Sequence, residues 1–219
     1  VAIRTEGMVK DLVKHLRCED ETLQMHCALT IFKCAEDKET RDCIREEGGI
    51  GSLVDIMSKN KTNRDLLAAV TGAIWKCSIR HPPNVLEFKK LQTVEKLCNL
   101  LKMQVPEVMD KYLNVESSSA DIKLMSRTEN VLVKIVGALS EMAKNPENSA
   151  TIRKCGGLPS LIHLLTVRNH DLLANVTRAV GECSYDQDNM AQIIRMEGMR
   201  LIWSLLNHDS PEVQSAATW

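Results

Sequence analysis

An all-α, right-handed superhelix with three helices per repeat is the fold class this sequence predicts, and three observations carry the prediction. Short apolar helical segments recur at residues 9–16, 50–57, 94–101, 158–165 and 199–206. Their starts lie 41, 44, 64 and 41 residues apart, and a period just above forty is that of stacked helical repeats. Aromatic residues are only 3% of the chain although 44% is hydrophobic, so the core is built from Leu, Ile, Val, Ala, Met and Cys, which suits closely packed helices.

The number of helices per period separates the two repeat architectures of this length. Gly7, Gly49, Gly157 and Gly198 precede four of the apolar segments, and three of them follow short polar helices such as 41–47 and 150–155. Glycine reaches left-handed backbone angles without a Cβ penalty, so each of these residues is expected to end a short first helix and turn into the second. Longer third helices follow at 21–36, 64–79, 129–144 and 171–184, and a last one opens at Ser210-Pro211-Glu212, a capping residue followed by a favourable first helical residue. Three helices per unit is the armadillo pattern rather than the HEAT pattern. The repeats run over about 1–39, 40–82, 83–146, 147–187 and a truncated 188–219.

Small residues punctuate the third helices, among them Gly72, Ala73, Gly137, Ala138, Ala179 and Gly181. A helical glycine costs about 1 kcal/mol relative to alanine, so these positions predict close approach by a neighbouring helix. The long interval places an insertion at 104–128, containing Pro106 and the run Glu116-Ser117-Ser118-Ser119, between the second and third helices of its repeat. It is expected to project from one rim, more as a tolerated segment than as a binding face. The chain opens within a first helix at 1–6 and stops within a third helix, so it is expected to be part of a longer solenoid.

Charge and motifs narrow the function. Lys and Arg number 28 against 29 Asp and Glu, which gives no broad electrostatic reason to bind nucleic acid or an anionic membrane. Eight cysteines form no CxxC pair and sit among apolar helical residues, so they are expected to be reduced core thiols in an intracellular compartment. Six scattered histidines, without HExxH, a glycine-rich phosphate loop or GxSxG, predict no enzyme, no cofactor, no metal and no small-molecule substrate. His26 beside Cys27 is the one pair worth testing for a metal, and adjacent helical residues point apart.

Several stretches go beyond the repeat framework: CAEDKETRD at 34–42, AAVTGAIWKCS at 68–78, IRKCGG at 152–157, LLANVTRAV at 172–180 and MRLIWSLL at 199–206. Together they resemble the armadillo-repeat subunit of the outer dynein arm docking complex of motile cilia. The resemblance implies a non-catalytic adaptor, in the cytoplasm and the axoneme of a cilium or flagellum. Its implied partners are coiled-coil docking-complex subunits, doublet microtubule tubulin and outer arm dynein. The third repeat departs from the pattern, with Leu91-Gln92-Thr93 in place of a glycine turn and with the insertion.

Armadillo solenoids present the groove lined by their third helices. Where peptide-binding members carry asparagines this chain has Lys33, Lys76, Glu141 and Glu182, and one turn earlier, at the tryptophan positions, it has Leu29, Gly72, Gly137 and Arg178. An asparagine amide both donates and accepts toward a peptide bond, which neither lysine nor glutamate does. Catenin-like or import-adaptor-like capture of extended peptides is therefore the alternative reading. The expected partner-binding residues are the charges Lys33, Lys76, Arg80, Lys134, Glu141, Arg178 and Glu182. Trp75 and Trp203 are expected as packing residues, or as exposed anchors if the stacking register differs.

Overall fold

The computed structural model describes residues 7–60, 62–113 and 119–218; the first helix expected over 1–6 and the serines 117–118 of the insertion lie outside them. Among the described residues there are helices and turns and no strand, and no helix is long and apolar enough to cross a membrane. The chain forms two compact units, Val1–Thr93 and Val94–Trp219.

The first unit contains α1 (Met8–His15), α2 (Glu21–Cys34), α3 (Lys38–Glu46), α4 (Gly49–Lys59), α5 (Arg64–Ser78) and α6 (Pro82–Lys90). Its third helices α2 and α5 pack along each other, with α4 against α5 and α6. The core is aliphatic: Val9, Val13, Ile31, Ile44, Leu53, Val70 and Ile74 are buried, with Phe88 the one aromatic filler among the largest fully buried side chains. The second unit takes in nearly all of α7 (Thr93–Leu113), then α8 (Ser119–Ala143), α9 (Pro146–Lys154), α10 (Gly157–His163) with a 3₁₀ turn at Leu164–Thr166, α11 (His170–Cys183), α12 (Gln187–Arg195), α13 (Gly198–Leu205) and α14 (Pro211–Thr218). Here α8, α11 and α14 lie side by side in that order.

Each turn into a second helix uses one left-handed residue, and in three of the five it stands one position earlier than the expected glycine. Gly7 is left-handed at φ 73°, as expected, but elsewhere the role falls to Gly48 (φ 77°), Gln92 (φ 53°), Gly156 (φ 69°) and Glu197 (φ 58°). Gly49, Gly157 and Gly198 are instead the first residues of α4, α10 and α13, where space demands them. A Cβ on Gly49 would lie 2.8 Å from Ile44 Cγ2, 2.9 Å from the Ile44 carbonyl oxygen and 2.9 Å from Val13 Cγ2. On Gly157 it would lie 2.7 Å from Cys98 Sγ.

First helices begin on a side-chain cap, and the third residue after the cap does a second job that sequence reading missed. The caps Asp37, His81, Asn145 and Asp186 accept the backbone N–H of Thr40, Asn84, Asn148 and Asn189 respectively. Three of those residues are buried asparagines whose Nδ2 reaches back to the end of the preceding third helix. Asn84 donates to the Cys77 carbonyl at 2.9 Å, Asn148 to that of Met142 at 3.1 Å and Asn189 to that of Cys183 at 3.1 Å. Two of the amide oxygens then accept from an arginine of the previous first helix: Asn84 from Arg45 Nε at 3.1 Å and Asn189 from Arg153 Nε at 2.9 Å. Each asparagine thereby gives a helix-end carbonyl a buried side-chain donor, a second one at Met142 and Cys183, which also accept a backbone N–H, and consecutive repeats are tied by polar bonds.

The insertion is helical where it is described. Residues 104–113 extend α7 and 119–128 extend α8. The inward spacing of Val94, Leu97 and Leu101 continues through Val105 and Val108, all buried, so the helix carries on past Pro106. Tyr112 donates to the Glu129 carboxylate, which also accepts from Asn169 Nδ2 at 3.1 Å.

Candidate functional site

The charges singled out from the sequence fall into two separate sets. In the first unit, Lys76 on α5 is half-buried, with Nζ 2.5 Å from Glu36 Oε1 and 5.7 Å from the centre of the Phe32 ring. Lys33 is exposed near the end of α2, and Arg80 is exposed in the turn after α5 at φ 48°. Lys76 thus already holds an internal ion pair, while Lys33 remains available at the surface.

In the second unit the residues come closer together. Glu141 on α8 accepts from Lys144 Nζ with both carboxylate oxygens, each at 2.9 Å. Glu182 on α11 is 8% exposed, and that same ammonium is 4.0 Å from its Oε1. Burial raises the Glu182 pKa; Lys144 opposes the shift and Glu141 adds to it. Lys134 lies half-buried on α8, and Arg178 is exposed on α11. Lys144 was absent from the sequence-based set, although its position three residues after Glu141 on a helix signals the contact.

Two clefts meet at Glu182. One, of about 490 Å³, is walled by Ser140 and Glu141 of α8, Arg178 of α11 and Ser215 of α14. The other, of about 550 Å³, is lined by Ala143, Pro146, Ser149, Tyr185, Asp186 and Asp188. The Tyr185 side chain stands 78% exposed on its rim. Asp188 accepts from Arg153 at 2.8 Å, and Asp186 lies 3.9 Å from that guanidinium. The arrangement suits recognition of protein side chains by charge and hydrogen bonding.

Other candidates separate on inspection. His26 is exposed while Cys27 is buried, so the adjacent pair does not converge. The eight cysteines are thiols rather than disulfides, and burial pushes Cys77 and Cys183 up to about 12, which makes those two inert packing groups. The Trp75 side chain is half-buried, whereas Trp203 is 74% exposed. His170 and His208, expected as turn residues, differ: His170 opens α11 while His208 lies between α13 and α14, and their rings meet edge to face at 5.1 Å.

Comparison with known proteins agrees with this architecture. The family profile described as Armadillo/beta-catenin-like repeat matches residues 145–185. Over 99% of its length the chain superposes on 47% of an engineered protein with a TM-score of 0.77 at 23% identity. Over 96% of its length it superposes on 79% of a designed armadillo repeat protein bound to a (KR)4 peptide, with a TM-score of 0.74 at 16% identity. The fold is the armadillo-repeat solenoid. Among curated relatives, this chain is 48% identical over 108 residues to outer dynein arm-docking complex subunit 2 of Bos taurus. It is 44% identical over 111 residues to armadillo repeat-containing protein gudu of Drosophila melanogaster. These matches cover 49% and 50% of the armadillo chain but only 10% and 16% of the two relatives.

Proposed function

We propose that this armadillo segment is a non-catalytic scaffold that helps dock outer dynein arms onto axonemal doublet microtubules. The observation that carries the reading is the 48% identity over 108 residues to a docking-complex subunit, well above the likeness to designed armadillo proteins. On this reading the chain works in the cilium or flagellum axoneme. It contacts coiled-coil docking subunits and doublet tubulin, with outer arm dynein as a further neighbour, through charged third-helix surfaces. The charges at the asparagine-ladder positions favour side-chain recognition over the gripping of an extended peptide backbone.

Crosslinking mass spectrometry on isolated axonemes tests the assignment. Lysines of this chain, Lys33 first among them, are expected to crosslink to docking-complex subunits or to doublet tubulin. Crosslinks confined to other proteins would remove the docking role.

A further inference from the structure

Glu182 is a nearly buried carboxylate that faces two clefts and lacks a hydrogen-bond donor among the described residues. Lys144, the cation nearest to it, is committed to both oxygens of Glu141 at 2.9 Å and stays 4.0 Å from Glu182. Its carboxylate reaches solvent only through the clefts and has one loose ion pair, so a further cationic donor entering there would gain from a charge that is poorly hydrated and incompletely paired. On the cleft side of Glu182 stand Ser149, the exposed Tyr185 ring, and the carboxylates of Asp186 and Asp188. The cleft therefore combines an acceptor without a donor at its floor, an aromatic face at its rim, the Lys144 ammonium, and two carboxylates that already share Arg153.

We propose that this cleft is a socket for an arginine side chain presented by a protein partner, with Glu182 accepting from the guanidinium. The inference rests on the scaffold reading above and adds the chemistry of the residue recognised. A planar guanidinium pairs with a carboxylate through two parallel N–H bonds and lies against an aromatic ring, which a lysine ammonium does less well. Its charge also balances the second of two carboxylates that share the single Lys144 ammonium.

The test uses a fluorescein-labelled alanine-based peptide carrying two arginines, with lysine and citrulline versions, titrated into the chain and followed by anisotropy. The arginine peptide is expected to bind saturably, the lysine version more weakly, and the citrulline version, equal in shape but uncharged, at least tenfold more weakly. Glu182→Gln, isosteric and uncharged, is expected to weaken the arginine peptide at least tenfold while its melting temperature stays at or above that of the parent. Lys144→Met, which removes the competing ammonium, is expected to tighten binding, so the two variants move affinity in opposite directions. The socket is overturned if the arginine peptide does not saturate, if citrulline or lysine binds as well, or if Glu182→Gln leaves affinity unchanged. Those results leave the axonemal crosslinks untouched, and absent crosslinks leave the socket untouched, so the two readings fail separately.

Discussion

Replacing Gly49 by alanine tests the turn geometry directly, because a second glycine two residues along the same helix supplies the opposite prediction. An added methyl at position 49 meets Ile44 Cγ2 at 2.8 Å, the Ile44 carbonyl oxygen at 2.9 Å and Val13 Cγ2 at 2.9 Å. Ordinary contacts of this kind begin at 3.4 Å, so all three must open by roughly half an ångström. One of the three is backbone at the end of α3, which has no rotamer to yield. Overpacking of this kind costs about 1–3 kcal/mol. The entropy gained by losing a glycine offsets up to about 1 kcal/mol, and less at the first residue of a helix. The net expectation is a loss of about 1–2 kcal/mol, or a drop of about 2–8 °C in melting temperature for a chain of this size. Gly51, inside α4, has nothing within 4 Å of the same added methyl, so Gly51→Ala is expected to gain about 0.5–1 kcal/mol. Thermal melts followed by circular dichroism on both variants read the difference. A Gly49→Ala protein that melts at or above the parent, or two variants shifting in the same direction, would refute the steric account.

Two further perturbations probe the polar interior. His81 is buried and caps α6 by accepting the Asn84 N–H at Nδ1; burial, aided by Arg41 and Arg45, lowers its pKa against the pull of Asp42. The folded chain then binds fewer protons than the unfolded one, so stability present above the ordinary histidine value of 6.5 is lost as pH falls through and below it. Urea midpoints are expected to drop between pH 7.5 and 5.0, and His81→Asn, a cap that does not titrate, is expected to shrink that drop; an unchanged pH slope counts against it. Asn189→Ala removes donations to Cys183 O and Ser149 and orphans Arg153 Nε, for an expected loss of about 1–3 kcal/mol in denaturant titration. A loss below a few tenths would show that water replaces the tie.

Much of this architecture can be read in the chain because its signals are one-dimensional. Apolar spacing marks which face of each helix is buried, and the caps Asp37, Asn145 and Asp186 mark where first helices begin. The left-handed residue was misplaced because Gly48-Gly49 and Gly156-Gly157 offer two glycines for one role, and because Gln92 and Glu197 carry no glycine to betray it. In the insertion, Val105 and Val108 continue the buried spacing of Leu101, a helical signal that Pro106 obscures. The candidate site was legible only as a set of charges. Whether a lysine is free or paired depends on where a long flexible side chain settles, as with Lys76 and Glu36, forty residues apart. The asparagine ties left a mark that was overlooked: Asn84, Asn148 and Asn189 each stand three residues after the cap.

Those ties impose a grammar on neighbour order. Arg45 and Arg153 each find an asparagine at the matching place in the next first helix, whereas α3 carries Thr40 there, its hydroxyl turned back onto Asp37. A block beginning at α3 is therefore a poorer successor to either arginine, since a threonine that short leaves the arginine Nε without its asparagine acceptor. Modules exchanged between these positions would keep their apolar stacking yet lose this one polar bond, so an arginine in one first helix favours a successor that brings an asparagine to meet it.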